Sequence, residues 1–214
     1  MIDLKRYKII IFDCDGVIFD SNDIKTIAFY ESVKEFGEEK AGQFVKYHKE
    51  NGGVSRYKKF DYFFDTILKD NSYDIKYYTD MFGSIVKKRM LYSQFTDGFI
   101  KFIELLPQNV TKYVVSGSDQ SELRELLKIK GIDRYFNGIY GSPDTKVEIV
   151  KEYIDCLGKK VLFIGDSESD YETAKCFGFE FMFIEQYSLW EENKWCNFHY
   201  RYRSFKEYNE GLKA

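Results

Sequence analysis

Ile9-Ile10-Ile11-Phe12-Asp13-Cys14-Asp15-Gly16-Val17 is the stretch on which the reading of this chain turns. Four apolar residues in a row suit a short strand buried on both faces, and two carboxylates leave its end together. Charged side chains are seldom buried unless they are paired or hold a metal, so this acid pair needs a cation or a reaction to justify it. A hard divalent ion such as Mg2+ fits that need. It takes a few carboxylate oxygens and leaves positions open for water or phosphate.

Three later segments repeat the theme. Val161-Leu162-Phe163-Ile164 runs into Gly165-Asp166-Ser167-Glu168-Ser169-Asp170, a second apolar strand ending in acids. Tyr113-Val114-Val115 ends in Ser116-Gly117-Ser118-Asp119, where a hydroxyl, a permissive glycine and a helix start offer donors to an anion. Lys146, in Ser142-Pro143-Asp144-Thr145-Lys146, stands near the start of an expected helix and adds one cation to four acids.

In this order the four segments resemble the motifs of the haloacid dehalogenase superfamily of aspartyl phosphohydrolases: the acid pair, the Ser or Thr, the Lys and the late acid pair. The likeness spans nearly the whole chain, and within it the match lies with the phosphoglycolate phosphatase and beta-phosphoglucomutase branch, which carries a small helical type-one cap. The resemblance implies that Asp13 is the nucleophile that becomes an aspartyl phosphate. It implies that Asp15 protonates the leaving alcohol and then activates water. Ser116 and the amide of Gly117 would hold the transferring phosphoryl oxygens, with Lys146 neutralising one of them. Magnesium would bind Asp13, the main-chain carbonyl of Asp15 and Asp166, with Asp170 nearby. For Asp15 to hold a proton, neighbouring negative charge must raise its proton affinity, while the metal and Lys146 keep Asp13 ionised. In the insertion, Gly52-Gly53-Val54-Ser55-Arg56 sets two glycines before a long cation, and Arg56 is the candidate for contact with the rest of the substrate. An ordinary surface arginine after a turn is the competing account.

The expected activity is thus hydrolysis of a small phosphate monoester, whether a sugar, polyol or amino-alcohol phosphate or phosphoglycolate. The resemblance leaves a phosphomutase of the beta-phosphoglucomutase type as the alternative. A non-catalytic phosphometabolite-binding protein is a third reading, disfavoured because every motif residue is present. An acid at position 15 argues against the dehalogenase and phosphonatase branches, which lack one there.

The remaining composition narrows the class. A net charge of -3 lacks the clustered basic excess of a nucleic-acid binder. Cys14, Cys156, Cys176 and Cys196 show no C-x-x-C spacing, and His48 and His199 are the only histidines, so no zinc site is expected and reduced thiols in a cytoplasm are the simplest account. The first strand follows the start at once, leaving no room for a signal peptide, and no apolar run approaches the ~18 residues of a membrane helix. Oligomeric state leaves no mark in the sequence.

From Thr96 onward helical and strand patterns alternate, the signature of an α/β fold with a parallel, Rossmann-like sheet. Strands are expected near 8–13, 112–116, 138–141, 160–165 and 179–184, with helices near 97–106, 119–130, 144–157 and 168–177. The stretch from about Asn22 to Tyr92 breaks the alternation with helical patterns alone. It is read as a cap domain, 21–92, inserted into a core of 1–20 and 93–214. Its joints are expected near Ile18 to Ser21 and Ser93 to Gly98. After Gln186 the chain crowds Trp190, Trp195, Phe198, Tyr200, Tyr202 and Phe205 among charges, and packing across the sheet edge is the expected role.

Overall fold

The computed structural model describes residues 2–191 and 196–212; Trp195 lies outside the described residues. Six parallel strands form one sheet: β1 (Ile9–Phe12), β2 (Thr111–Asp119), β3 (Gly138–Ser142), β4 (Val161–Gly165), β5 (Glu180–Ile184) and β6 (Tyr200–Tyr202). Their order across the sheet is β3-β2-β1-β4-β5-β6. The expected α/β class and the five expected strands are there. β6 was not foreseen as a strand, and it extends the sheet edge where the aromatic tail was expected to pack.

Strand residues alternate between two faces, as the period of two requires. Ile10, Phe12, Val114, Leu162, Ile164, Met182 and Ile184 join one buried cluster; Ile9, Ile11, Val115, Val161, Phe163, Phe181 and Phe183 join the other. The first face is covered by α5 (Phe99–Leu105), α6 (Gln120–Ile129) and α9 (Phe205–Gly211), through Phe99, Phe102, Leu123, Leu127 and Phe205. The second is covered by α7 (Lys146–Tyr153) and α8 (Glu168–Cys176), through Ile149, Val150 and Ala174. Burial on both sides explains why these strands read as unbroken apolar runs.

Between β1 and β2 the chain makes α1 (Asn22–Val33), α2 (Glu38–Glu50), α3 (Arg56–Tyr62) and α4 (Ile75–Met90). Their interior is mostly aromatic: Phe29, Phe44, Phe60, Phe63, Phe64 and Phe82 are all buried. Phe29 packs on Phe82 with ring centroids 4.2 Å apart, and Phe44 on Phe63 at 4.8 Å. The chain leaves and re-enters the sheet region side by side. Asp20 N donates to Gln94 O at 3.0 Å, Thr96 N donates to Ile18 O at 3.0 Å, and the Phe19 and Phe95 rings stack at 5.2 Å.

Strand order reverses at β1, which has β2 on one side and β4 on the other. Open parallel sheets bind ligands outside the carboxyl ends of the strands at such a switch point. Phe12 lies level with Val114 and with Ile164, so the residues that follow each strand meet at one end of the sheet.

Candidate active site

Asp13 follows β1 directly and is held in line by its own amide, which donates to Ile164 O at 2.9 Å. Its carboxylate, that of Asp166 after β4 and that of Asp170 in the first turn of α8 bring ligand-type oxygens within 4.8 Å of one another, and all three residues are buried. Lys146, in the first turn of α7, reaches in from the other side. Its Nζ lies 2.5 Å from Asp170 Oδ1 and 2.8 Å from Asp13 Oδ1, the latter an ion pair rather than an aligned hydrogen bond. The other Asp170 oxygen accepts from the Ser167 hydroxyl at 2.6 Å and from the Ser167 amide at 3.1 Å, closing a capping box on α8. Asp166 receives one hydrogen bond from Asn22 Nδ2 at 2.9 Å, and Asn22 also donates to Tyr187 O at 2.7 Å.

Asp15 faces a different set of partners. Oδ1 accepts from the Ser21 hydroxyl at 2.6 Å, Oδ2 from the Ser118 hydroxyl at 2.8 Å, and Lys25 Nζ stands 3.4 Å away while donating to Ser118 Oγ at 2.8 Å. Ser116 is buried beside them at the end of β2, with its Oγ accepting from the Ser118 amide at 3.2 Å. Gly117 lies directly under the insertion: a Cβ there would sit 2.2 Å from Gly53 O, so only glycine permits this approach.

These partners decide the protonation states. Burial, then the charge of Asp170, push Asp13 up to about 7, with Lys146 pulling the other way. Burial, with Asp13 and Asp170 behind it, raises Asp166 well above the carboxylate range. For Asp15 burial also pushes upward, but the Lys25 charge and the Ser21 and Ser118 hydrogen bonds outweigh it and hold the group below its ordinary value. This reverses the order expected from sequence, in which Asp15 held the proton and Asp13 stayed ionised. Lys25 is the cause, and nothing around position 25 marked it as part of the site. Burial presses the Lys146 ammonium down, but Asp13 and Asp170 more than offset it and its proton is held firmly.

Asp13, Asp166 and Asp170 share one lysine, so once ionised they leave negative charge uncompensated, and Asp13 Oδ1 is buried with no hydrogen-bond donor aligned on it. An oxygen-rich, electron-hard donor set of this kind fits a magnesium ion. Asp13, Ser116, Gly117 and Asp166 line one cleft together with Asp15, and Lys146 Nζ is in ion-pair range of Asp13 beneath it. Arg56 also lines the cleft, but its guanidinium is engaged in a two-point ion pair with Glu122 of α6, one arm at 3.1 Å, and lies over the Phe82 ring at 5.0 Å.

Several residues at the site escaped sequence reading: Ser21, which donates to Asp15, with Asn22 and Lys25 of the cleft wall on the same turn at the head of α1, and His48 and Lys59 deeper in the insertion. The i, i+4 spacing of Ser21 and Lys25 was the one available signal.

The profile of haloacid dehalogenase-like hydrolases matches residues 10–184, and the chain belongs to that family. No curated protein matches it in sequence. Among solved structures, it is similar to a haloacid dehalogenase-like family hydrolase from Streptococcus pneumoniae (19% identity, 97% of this chain and 99% of that one, TM-score 0.73). It is also similar to a proposed phosphoglycolate phosphatase from Lactobacillus plantarum (15%, 95% and 98%, TM-score 0.74). A third likeness is to a proposed hydrolase of this type from Bacillus subtilis, bound to magnesium (20%, 98% and 100%, TM-score 0.69). At these identities the likeness speaks for the fold.

Proposed function

We propose that this haloacid dehalogenase-like hydrolase is a magnesium-dependent phosphatase of small phosphate monoesters, working through an aspartyl phosphate on Asp13. The observation that carries the reading is the meeting of Asp13, Asp15, Ser116, Lys146, Asp166 and Asp170, drawn from three strand ends and two helix starts, in one cleft region. Family membership and the phosphoglycolate phosphatase and magnesium-bound neighbours support it. Helices α1 to α4 serve as the cap that closes over the phosphoryl group. No helix among the described residues is long and apolar enough to cross a membrane, and the four free cysteines suit a cytoplasmic setting.

In this proposal one Asp13 oxygen attacks phosphorus while the bond from phosphorus to the alcohol oxygen breaks, and Asp15 gives that oxygen its proton. Asp15 then takes a proton from water, whose oxygen attacks phosphorus and releases Asp13. The arriving phosphoryl dianion supplies the negative charge beside Asp15 that raises its proton affinity against Lys25. Ser116 and Lys146 hold the phosphoryl oxygens where charge develops. Asp13 and Asp166, with Asp170 behind, would hold a magnesium ion, whose charge would favour the ionised carboxylates and offset that of the phosphoryl group.

Release of inorganic phosphate from p-nitrophenyl phosphate tests the reading. It should require Mg2+, vanish in excess chelator and vanish in Asp13→Asn. Full turnover in chelator would sink the metal assignment, and normal turnover by Asp13→Asn would remove the nucleophile. Isomerisation of a sugar phosphate without net phosphate release would favour the mutase alternative.

A further inference from the structure

Five basic side chains from the insertion, those of Lys25, His48, Lys49, Arg56 and Lys59, line the cleft above the phosphoryl site. Two of them are already balanced: Lys25 by Asp15 and Arg56 by Glu122. Lys49 is exposed. Lys59 differs from all of these. It is 2% exposed, and among the described residues no carboxylate lies within ion-pair range of it.

What Lys59 does contact is His48. Its Nζ lies 2.9 Å from His48 Nδ1 and 3.4 Å from His48 O, with the Phe29 ring centroid at 5.2 Å. When Lys59 is charged it has three protons and no acceptor capacity, so in that state Nδ1 accepts and the imidazole proton sits on Nε2. That Nε2 is itself buried with no partner. The pair thus keeps unmet donor capacity on both members in a cleft wall, where an unpartnered buried donor and an unbalanced buried charge are each costly. Burial, followed by the charge of Lys25, presses the Lys59 ammonium down to about 7 against the pull of Asp15, and burial, followed by the charge of Lys59, holds His48 well below the ordinary imidazole range. A fold that tolerates such a residue only for packing would do better with methionine.

We propose that Lys59 and His48 form a second anion subsite, so that the substrate is a phosphate monoester whose alcohol part carries its own oxyanion. The inference rests on the phosphatase reading of the same cleft and adds the class of leaving group. The phosphoryl dianion is already met by Ser116, Gly117 and Lys146 below, which leaves Lys59 for the far end of the ligand. One ammonium balances one negative charge. A carboxylate is therefore the better match, whereas a second phosphate, carrying nearly two charges, would leave one over.

The test compares 2-phosphoglycolate with glycolamide phosphate, in which a neutral amide replaces the carboxylate, and with a sugar bisphosphate, reading both turnover and the rise in Tm each ligand gives. The wild-type protein should prefer the carboxylated ester to the amide by at least about tenfold in kcat/KM, and should gain more Tm from it. Lys59→Met should collapse that ratio to near one while Tm of the free protein stays level or rises, because an unbalanced buried charge has gone. His48→Gln should weaken the ratio less. A bisphosphate preferred over the carboxylate would overturn the assignment of a single charge. No preference for either anion over the amide would overturn the subsite. A steep fall in Tm with equal losses on all esters would make Lys59 a packing residue and overturn it too. Absence of any turnover, with a Lys59-dependent Tm gain retained, would instead defeat the phosphatase reading and leave the subsite standing.

Discussion

Gly16 sits at φ +77°, and a Cβ on it would fall 2.0 Å from Asp166 Oδ2 and 2.6 Å from the Asn22 side-chain nitrogen. The left-handed backbone and the missing side chain are both required there, because the turn out of β1 must pass against the carboxylate that β4 delivers. Gly16→Ala should cost about 1 to 3 kcal/mol of stability through the strained backbone. Turnover should fall by on the order of a hundredfold, since a shift of about 1 Å in a reacting group is enough for that. Urea unfolding and phosphate release measured on the same preparation check both numbers; wild-type activity would mean that Asp166 can move aside freely. At this scale the acids, Ser116 and Lys146 were legible because each follows an apolar run or begins a helix. Lys25, His48 and Lys59 were not, since a lysine or histidine within a helical pattern looks the same whether it faces water or a cleft.

Strands and helices of the sheet region could be read from the sequence because burial on both faces leaves runs such as Val161-Leu162-Phe163-Ile164 without a polar break. β6 escaped because it spans three residues, Tyr-Arg-Tyr, with its arginine exposed, and so shows no apolar run. Its register against β5 aligns Met182 with Tyr200 and Ile184 with Tyr202. Helix α9 then closes the first face of the sheet: Phe205 is fully buried, 4.5 Å from the Phe102 ring and 5.6 Å from Phe99, and Asn209 donates to Gly98 O at 2.9 Å. Phe205→Ala should therefore destabilise the protein by about 3 to 5 kcal/mol, as for other large aromatic deletions in a core. A loss under about 1 kcal/mol in urea unfolding would show that the tail is an appendage to a sheet that stands without it.

For the molecule as a whole, the charges gathered at the switch point tie folding stability to metal and to pH. Without a metal, Asp13 is raised to about 7 and Asp166 well above its ordinary value, so the folded protein keeps protons on these groups through a range in which the unfolded chain has lost them. The metal needs both carboxylates ionised, so its binding must expel the protons they hold, and its affinity must climb as pH rises. A ligand that binds only the folded state stabilises it in proportion to the logarithm of its concentration over Kd. The rise in Tm produced by a fixed excess of Mg2+ should accordingly be small at pH 5 and grow as pH rises through about 7, where Asp13 ionises. Taking the difference between scans with and without Mg2+ at each pH removes groups that titrate alike in both, among them His48, which burial holds neutral, and Glu180, which Lys160, Arg6 and two tyrosines hold at about 2 against its burial. Asp166→Asn should flatten the profile by removing both a ligand and a titrating group. An equal Mg2+ effect at pH 5 and pH 7.5 in the unaltered protein would show that the buried acids are not where the ion binds.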